Sequence, residues 1–202
     1  MTAKSPQHCG KNKHLIINKK LIALFISILL LLTLILLFCF VLRPTKPHFS
    51  LDQLHIYQLF VSPTYLVNSS IQLTLLSTNP NQRFGIYYDQ IQFYASYKAQ
   101  QITLHSYVSP FYQDHKDTNL LSALLAANAF PVAPSFSFDL GRDLMAGRLV
   151  LNIKANGLLR WKLGTWVSGS YRFSVNCVAV LLVFGSSVPF TSKQGTQCFT
   201  TI

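Results

Sequence analysis

An uncharged stretch of 22 residues near the N-terminus, residues 21–42, limits what this chain can be. About 20 apolar residues are enough for a helix to span the hydrocarbon core of a bilayer. The alternative is a cleaved signal peptide, whose apolar core is about 7 to 15 residues long and ends in small residues. This stretch instead ends in Phe38-Cys39-Phe40-Val41-Leu42. We therefore predict an uncleaved signal anchor, a single transmembrane helix over residues 21–42.

Basic residues flank this stretch unevenly. Five lysines and no acid precede it in residues 1–20, whereas only Arg43 and Lys46 follow it closely. Because cytoplasmic flanks carry the excess of Lys and Arg, the N-terminus is expected in the cytosol. Residues 1–20 are thus predicted to form a basic cytosolic tail beside the lipid bilayer, the first predicted partner. Residues 43–202 are then expected in the secretory lumen or outside the cell.

The sequence after the anchor has the pattern of an all-β domain. Two prolines in residues 43–50 predict a short stiff stalk. Beyond it, apolar residues alternate with polar ones in several runs, and this period of two is typical of half-buried strands. The runs lie at 71–75, 91–97, 148–154 and 172–177. We predict an immunoglobulin-like or fibronectin type III-like β-sandwich over residues 51–202.

Four further local predictions follow from the same patterns. The pair Asn156-Gly157 predicts a hairpin that joins residues 148–155 to residues 158–163, because both residues tolerate positive φ. Residues 120–129 are assigned to a strand, although a helix fits the pattern too. Residues 137–145 fit a short helix. The apolar run 178–184 is too short to span a bilayer and predicts a strand that is buried on both faces.

The segment NPNQRFGIYYDQIQFYASYKAQ, residues 79–100, is rich in aromatic side chains. Its first three residues predict a turn, and Gly85 predicts a kink or a bulge. The strand that follows is expected to place its aromatic rings on one face. We therefore interpret this segment as framework of the domain.

Two cysteines and one asparagine are the candidate modification sites of the outer region. Cys177 and Cys198 lie on the predicted oxidising side, where a disulfide between them is expected. The alternative is a buried free Cys177 with a frayed Cys198. Asn68-Ser69-Ser70 is a glycosylation acceptor.

No catalytic, cofactor-binding or metal-binding residue is predicted. Asp114, His115 and Asp117 lie in one polar loop, a pattern more typical of a solvated loop than of metal ligands. Neither a Gly-x-Ser-x-Gly elbow nor a phosphate-binding glycine loop occurs. Trp161 and Trp166 suggest a carbohydrate platform, but a position in the core is the favoured interpretation.

The net charge of residues 43–202 is positive, because 12 Lys and Arg face six Asp. Such a surface favours anionic cell-wall polymers or lipid head groups, but its charges are dispersed along the sequence, and we favour a generally soluble face. No nucleic-acid partner is predicted.

Several dispersed motifs resemble those of one plant family. Asn79-Pro80-Asn81 followed by Gly85-Ile86-Tyr87-Tyr88-Asp89 resembles the signature of harpin-induced and non-race-specific disease-resistance-like proteins, the membrane-anchored branch of the late embryogenesis abundant group 2 superfamily. The resemblance covers about residues 20–200, although Asp114 stands where the family often has Gly and the last four residues depart from its usual ending. The motifs continue through Pro110-Phe111-Tyr112-Gln113, Arg160-Trp161-Lys162, Gly164-Thr165-Trp166, Tyr171, Asn176-Cys177 and Cys198.

The resemblance implies a non-catalytic plasma-membrane protein with a fibronectin-like β-sandwich. The family is associated with pathogen defence, hypersensitive cell death and abiotic stress, and some members localise to plasmodesmata. We therefore expect interaction and signalling at the plasma membrane through a protein partner that the sequence does not identify. The alternatives are a protective membrane or cell-wall tether without a signalling partner and, third, a small secretory-pathway enzyme.

Overall fold

The computed structural model describes residues 11–41, 43–182 and 190–202, with side chains described for 19–37, 43–182 and 195–202. It consists of an N-terminal helical unit and a β-domain that begins at Pro44. The helices are α1 (Lys11–Val41) and α2 (Pro134–Met145). The strands are β1 (His48–Val61), β2 (Leu66–Thr78), β3 (Gly85–Tyr97), β4 (Gln100–Gln101), β5 (Ser106–Val108), β6 (Phe111–Gln113), β7 (Thr118–Pro131), β8 (Arg148–Leu163), β9 (Trp166–Val167), β10 (Tyr171–Leu182), β11 (Phe190–Gln197) and β12 (Phe199–Thr201).

The apolar helix is confirmed, and it begins at Lys11 rather than at residue 21. Within it, Lys19–Leu37 has a mean hydropathy of 2.9 and leaves no side chain buried in the protein. At a rise of about 1.5 Å per residue, this segment is about 28 Å long, close to the thickness of a bilayer's hydrocarbon core. Residues 1–10 of the predicted tail and residue 42 of the predicted anchor lie outside the described residues.

Two antiparallel sheets form the predicted sandwich. Sheet A has the strand order β11-β1-β2-β7, and sheet B has the order β12-β10-β8-β3-β4. The short strands β5 and β6 also pair with β3, and β9 pairs with β8. The strand predicted at 120–129 is confirmed as β7, and the short helix predicted at 137–145 is confirmed as α2. The chain passes from sheet A to sheet B between β2 and β3, and it returns between β6 and β7.

Aromatic side chains from both sheets fill the centre of the sandwich. Phe49 of sheet A stacks on Phe173 of sheet B with ring centroids 5.9 Å apart. Tyr88 meets both rings edge-on, at 6.4 and 5.7 Å. All three side chains are buried. Burial of each such ring stabilises the fold by about 1.5 to 3 kcal/mol, so this cluster is a principal contact between the layers.

A β-bulge divides β3 into two halves. Tyr88 pairs with Leu159 of β8, but Gln90 pairs with Leu158, so that Asp89 is the extra residue. Because side chains alternate between faces, the extra residue moves Tyr94 to the outer face while Tyr88 stays inside. The prediction that the rings of this strand share one face was therefore wrong. The predicted irregularity is also displaced, since it falls at Asp89 rather than at Gly85.

The hairpin predicted at Asn156-Gly157 was wrong, because β8 runs without interruption from Arg148 to Leu163. Gly157 pairs with Ile91 on one side and with Phe173 on the other. A Cβ atom at this position would lie 2.0 Å from the carbonyl oxygen of Gln90 and 2.7 Å from the Phe173 ring. Glycine is needed here for close strand approach next to the bulge, and not for positive φ.

The strand predicted over 178–184 is β10, but it is not buried on both faces. Ala179 and Leu181 are buried, whereas Val178 is 42% exposed and Leu182 is 60% exposed. The outer face of sheet B is open to solvent here, since β10 is covered only on its inner side. Residues 183 and 184 lie outside the described residues.

Replacement of Gly157 by alanine is expected to destabilise the β-domain by about 1 to 3 kcal/mol, because the new methyl group must displace backbone. The matched control is Gly141→Ala in α2, where an added Cβ meets nothing within 4 Å. Alanine there is expected to raise stability by up to about 1 kcal/mol, since glycine is unfavourable inside a helix. Thermal unfolding of the full-length chain in detergent checks both values. Equal melting temperatures for the two variants would contradict the packing described for Gly157.

Candidate functional site

Two of the connections between the sheets, from β2 to β3 and from β6 to β7, run side by side, and Asn79 joins them. Its backbone N–H donates to the carbonyl of Asp117 at 2.9 Å. Its buried side-chain amide donates to the carbonyls of Phe84 at 2.7 Å and Asp114 at 3.0 Å. Irregular backbone leaves polar groups without ladder partners, and a buried unpaired group costs about 1 to 3 kcal/mol. One asparagine therefore satisfies polar groups from both connections.

Asn81 adds the start of the domain to this cluster. Its side-chain oxygen accepts a hydrogen bond from the Thr45 backbone N–H at 2.7 Å, and its amide donates to the Thr45 carbonyl at 2.6 Å. The Asn81 carbonyl accepts from the Lys116 N–H at 3.1 Å. Residues 43–50, predicted as a stalk, thus include a segment bonded to the domain, and β1 begins within them at His48.

A second buried polar group lies next to the first. The Gln113 side chain donates to the Ser77 carbonyl at 2.6 Å and to the Asp117 carbonyl at 3.1 Å. Its oxygen accepts from the Tyr88 hydroxyl at 3.3 Å. Burial strongly raises the pKa of Tyr88, although its hydrogen bond to Ser77 opposes this effect. The hydroxyl therefore stays protonated and serves as a structural donor.

Three aromatic and basic side chains cover the outside of the same end. The Tyr87 and Tyr112 rings lie 4.7 Å apart, and the Lys162 ammonium is 4.8 Å from the Tyr112 ring centroid. Gly85 lies under this cluster, where a Cβ would be 2.1 Å from the Tyr112 hydroxyl. The glycine of the motif is thus required for the ring to lie on the strand.

The bulge turns Asp89 towards Arg160 of the neighbouring strand. The carboxylate accepts two hydrogen bonds from the guanidinium, at 2.7 Å from Nε and 2.5 Å from Nη2. These bonds raise the pKa of Arg160 above its ordinary value. This bidentate pair holds β3 against β8 at the irregular position.

The polar loop that contains Asp114, His115 and Asp117 forms hydrogen bonds within itself. The Asp114 carboxylate accepts from the His115 backbone N–H and contacts the His115 ring nitrogen at 2.7 Å. The backbone N–H of His115 is the main cause of the lowered pKa of Asp114. The Asp117 carboxylate accepts from the Thr118 N–H at 2.8 Å. Across the part of the chain that the structure describes, no group of three His, Cys, Asp or Glu is arranged to hold a metal ion.

The candidate modification sites lie on different parts of the sandwich. Cys177 of β10 and Cys198 form a disulfide, with Cα atoms 4.4 Å apart. The backbone N–H of Cys198 also donates to Phe49 of sheet A at 2.9 Å. Asn68 lies in β2 on the outer face of sheet A, where its side-chain oxygen Oδ1 accepts a hydrogen bond from the Ala129 backbone N–H at 2.9 Å.

The two tryptophans have different environments. Trp161 is only 4% exposed and belongs to the core, as favoured from the sequence. Trp166 is 57% exposed, so its predicted core position was wrong. Gly164, with φ of 58°, turns the chain and places Trp166 in the two-residue edge strand β9.

The outer face of sheet B has a hollow of about 570 Å³ that the sequence did not indicate. It lies next to the bulge and spans β3, β8, β10 and β12. We call it the sheet B hollow. Its polar lining includes Gln90, Gln92, Asn156, Arg172, Ser174 and Thr201.

Replacement of Asn79 by alanine is expected to destabilise the domain by about 2 to 4 kcal/mol, because several buried backbone groups lose their partner. Asn128→Ala is the matched control, since Asn128 is an exposed asparagine of β7. Its effect is expected to stay within about 0.5 kcal/mol. Urea unfolding of the detergent-solubilised chain measures the difference. An Asn79 variant as stable as the Asn128 variant would show that the connections do not depend on this amide.

Comparison of the sequence with known proteins shows the family to which the chain belongs. Residues 74–178 match the family model described as late embryogenesis abundant protein, group 2. The chain is 47% identical over 207 residues to "NDR1/HIN1-like protein 26" of Arabidopsis thaliana, covering 98% of this chain and 97% of that protein. It is 40% identical over 154 residues to "NDR1/HIN1-like protein 12" of the same plant, covering 76% and 73%. It is 39% identical over 160 residues to "NDR1/HIN1-like protein 1", covering 78% and 76%. The chain therefore belongs to the late embryogenesis abundant group 2 family.

Proposed function

We propose that this protein is a membrane-anchored interaction protein of plant defence or stress responses, with its β-domain on the outer side of the plasma membrane. The single observation that carries the anchoring is the apolar segment Lys19–Leu37, which buries none of its side chains in the protein. Lys19 and Lys20 at its N-terminal end favour a cytosolic N-terminus. The names of the similar proteins support the role in defence.

The disulfide supports an extracytoplasmic location of the β-domain. Disulfides persist in oxidising compartments and are rare in the cytosol. Cys177 and Cys198 form one within the domain. This location also makes Asn68 a substrate for glycosylation, on the face of sheet A opposite the sheet B hollow.

Binding, rather than turnover, is the proposed mode of action. A carboxylate held by a cationic side chain stays ionised and is a weaker proton acceptor. Asp89 is bonded to Arg160 in this way, and Asp114 contacts the ring nitrogen of His115. Asp139 and Asp143 form ion pairs with Lys98 and Arg142. The partner-binding surface is proposed to be the outer face of sheet B, where exposed rings and polar side chains lie together.

The topology is tested by translation of the full chain with sealed microsomes, followed by glycosidase treatment and gel mobility. A mobility shift on deglycosylation is expected for the natural chain and for the control variant Asn128→Gln, whose asparagine is outside any acceptor motif. The shift should be lost in Asn68→Gln. Protease added outside the vesicles should leave residues 44–202 intact. Digestion of the domain in sealed vesicles, with no shift, would overturn the proposed orientation.

A further inference from the structure

The polar side chains of sheet B fall into two groups. At the end where β3 meets β6, Gln113 and the Asp89–Arg160 pair are engaged within the protein. In the sheet B hollow, the side chains of Gln90, Gln92 and Arg172 have no hydrogen-bond or ion-pair partner among the residues that the structure describes. The side chain of Asn156 likewise has no such partner among the described residues. Such groups are available to a ligand, because nothing in the domain competes for them.

These groups form two adjacent rows across the strands. In one row, Gln92 of β3 pairs with Asn156 of β8, which pairs with Ser174 of β10. Ser174 in turn pairs with Thr201 of β12. The second row places Gln90, Leu158 and Arg172 beside it. Since neighbouring strands are about 4.8 Å apart, three intervals give a track about 14 Å long that crosses the sheet.

An exposed aromatic ring lies near each end of this track, outside the lining of the hollow. Tyr107 of β5 pairs with Gln92 and is 62% exposed. Phe199 precedes Thr201 by two residues on β12 and is 69% exposed. The apolar faces of such rings pack against the C–H faces of pyranose rings, while amides bond to hydroxyl groups. A linear ligand with alternating apolar and hydroxyl-bearing surfaces, such as an oligosaccharide, fits this arrangement.

The charge of the face selects an acidic ligand. By strand register, five basic residues point outwards from β8 and β10, and one acid, Asp89, points outwards from β3. Asp89 forms an ion pair with Arg160. The other four basic residues leave an excess of positive charge on the face. Arg172 is exposed and faces the hollow. A guanidinium forms two parallel hydrogen bonds with a carboxylate, which makes it specific for that group. The five basic residues are Arg148, Lys154, Arg160, Lys162 and Arg172.

We propose that the sheet B hollow binds a chain of uronic acid residues, with Arg172 on a sugar carboxylate and the three amides on ring hydroxyls. This ligand class deepens the proposed function, on which it rests, because acidic polysaccharide reaches the hollow only if the domain lies outside the cell. It also alters the interpretation of the basic charges, because five of the 12 Lys and Arg in residues 43–202 are dispersed in the sequence but lie on one face in the fold.

The test uses the full-length chain in nanodiscs of zwitterionic phosphatidylcholine at physiological salt. Calorimetric titration with a linear hexamer of galacturonic acid is expected to show saturable binding. Arg172→Gln should weaken that binding about tenfold, since it removes a charge-assisted contact. The matched control is Arg148→Gln, an exposed arginine on the same face but outside the hollow, and its effect should be less than about twofold. Gln92→Ala should weaken binding without any change of charge.

Three results would overturn the proposal. Absence of binding to the natural chain is the first. Equal weakening by Arg148→Gln and Arg172→Gln is the second, because it would indicate diffuse attraction by the face. Equal affinity for a neutral hexamer of galactose is the third. The nanodisc titration does not depend on membrane orientation, whereas the microsome assay does not depend on the ligand. Failure of one can therefore be distinguished from failure of the other.

Discussion

The hydrogen bonds of Asn79 are the constraint on which the domain depends. A sandwich needs the chain to cross between its sheets, and each crossing exposes backbone groups to a dry interior. Here two of these crossings, from β2 to β3 and from β6 to β7, lie beside one buried amide, which bonds to carbonyls from each of them. Asn81 then attaches the first residues of the domain to the same point.

The motifs that identify the family are mainly structural in this chain. Asn79, Gly85, Gln113 and the Asp89–Arg160 pair each satisfy a polar group, permit a close contact or hold a bulge. The side chains that line the sheet B hollow lie outside those motifs. The family motifs therefore specify the sandwich and the end of it where Asn79 and Gln113 lie. The residues proposed to bind a ligand occupy positions outside those motifs. Such a division lets one framework present different binding faces.

The sequence predicted the all-β class, the apolar helix, β7 and α2, because each follows from local periodicity. It failed where a contact between distant segments decides the conformation. The Asn156-Gly157 pair has the composition of a hairpin turn, yet the inward positions Ala155 and Leu159 keep their parity across it, and this continuity was the available signal for one long strand. The bulge at Asp89 and the exposure of Trp166 left no such trace. The sheet B hollow could not be predicted from the sequence either, because Gln90, Asn156 and Arg172 come together only through the register of β3, β8 and β10.

The position of β1 has a mechanical consequence. The first strand of the domain is not an edge strand, because it lies between β11 and β2 and is hydrogen-bonded to both. Tension applied to the chain before Pro44 first meets the Thr45–Asn81 bonds and then pulls along β1 against two ladders at once. Hydrogen bonds sheared together resist tension better than bonds opened one after another. A domain built in this way can remain folded while it transmits a pull between whatever it binds and the segment that precedes it.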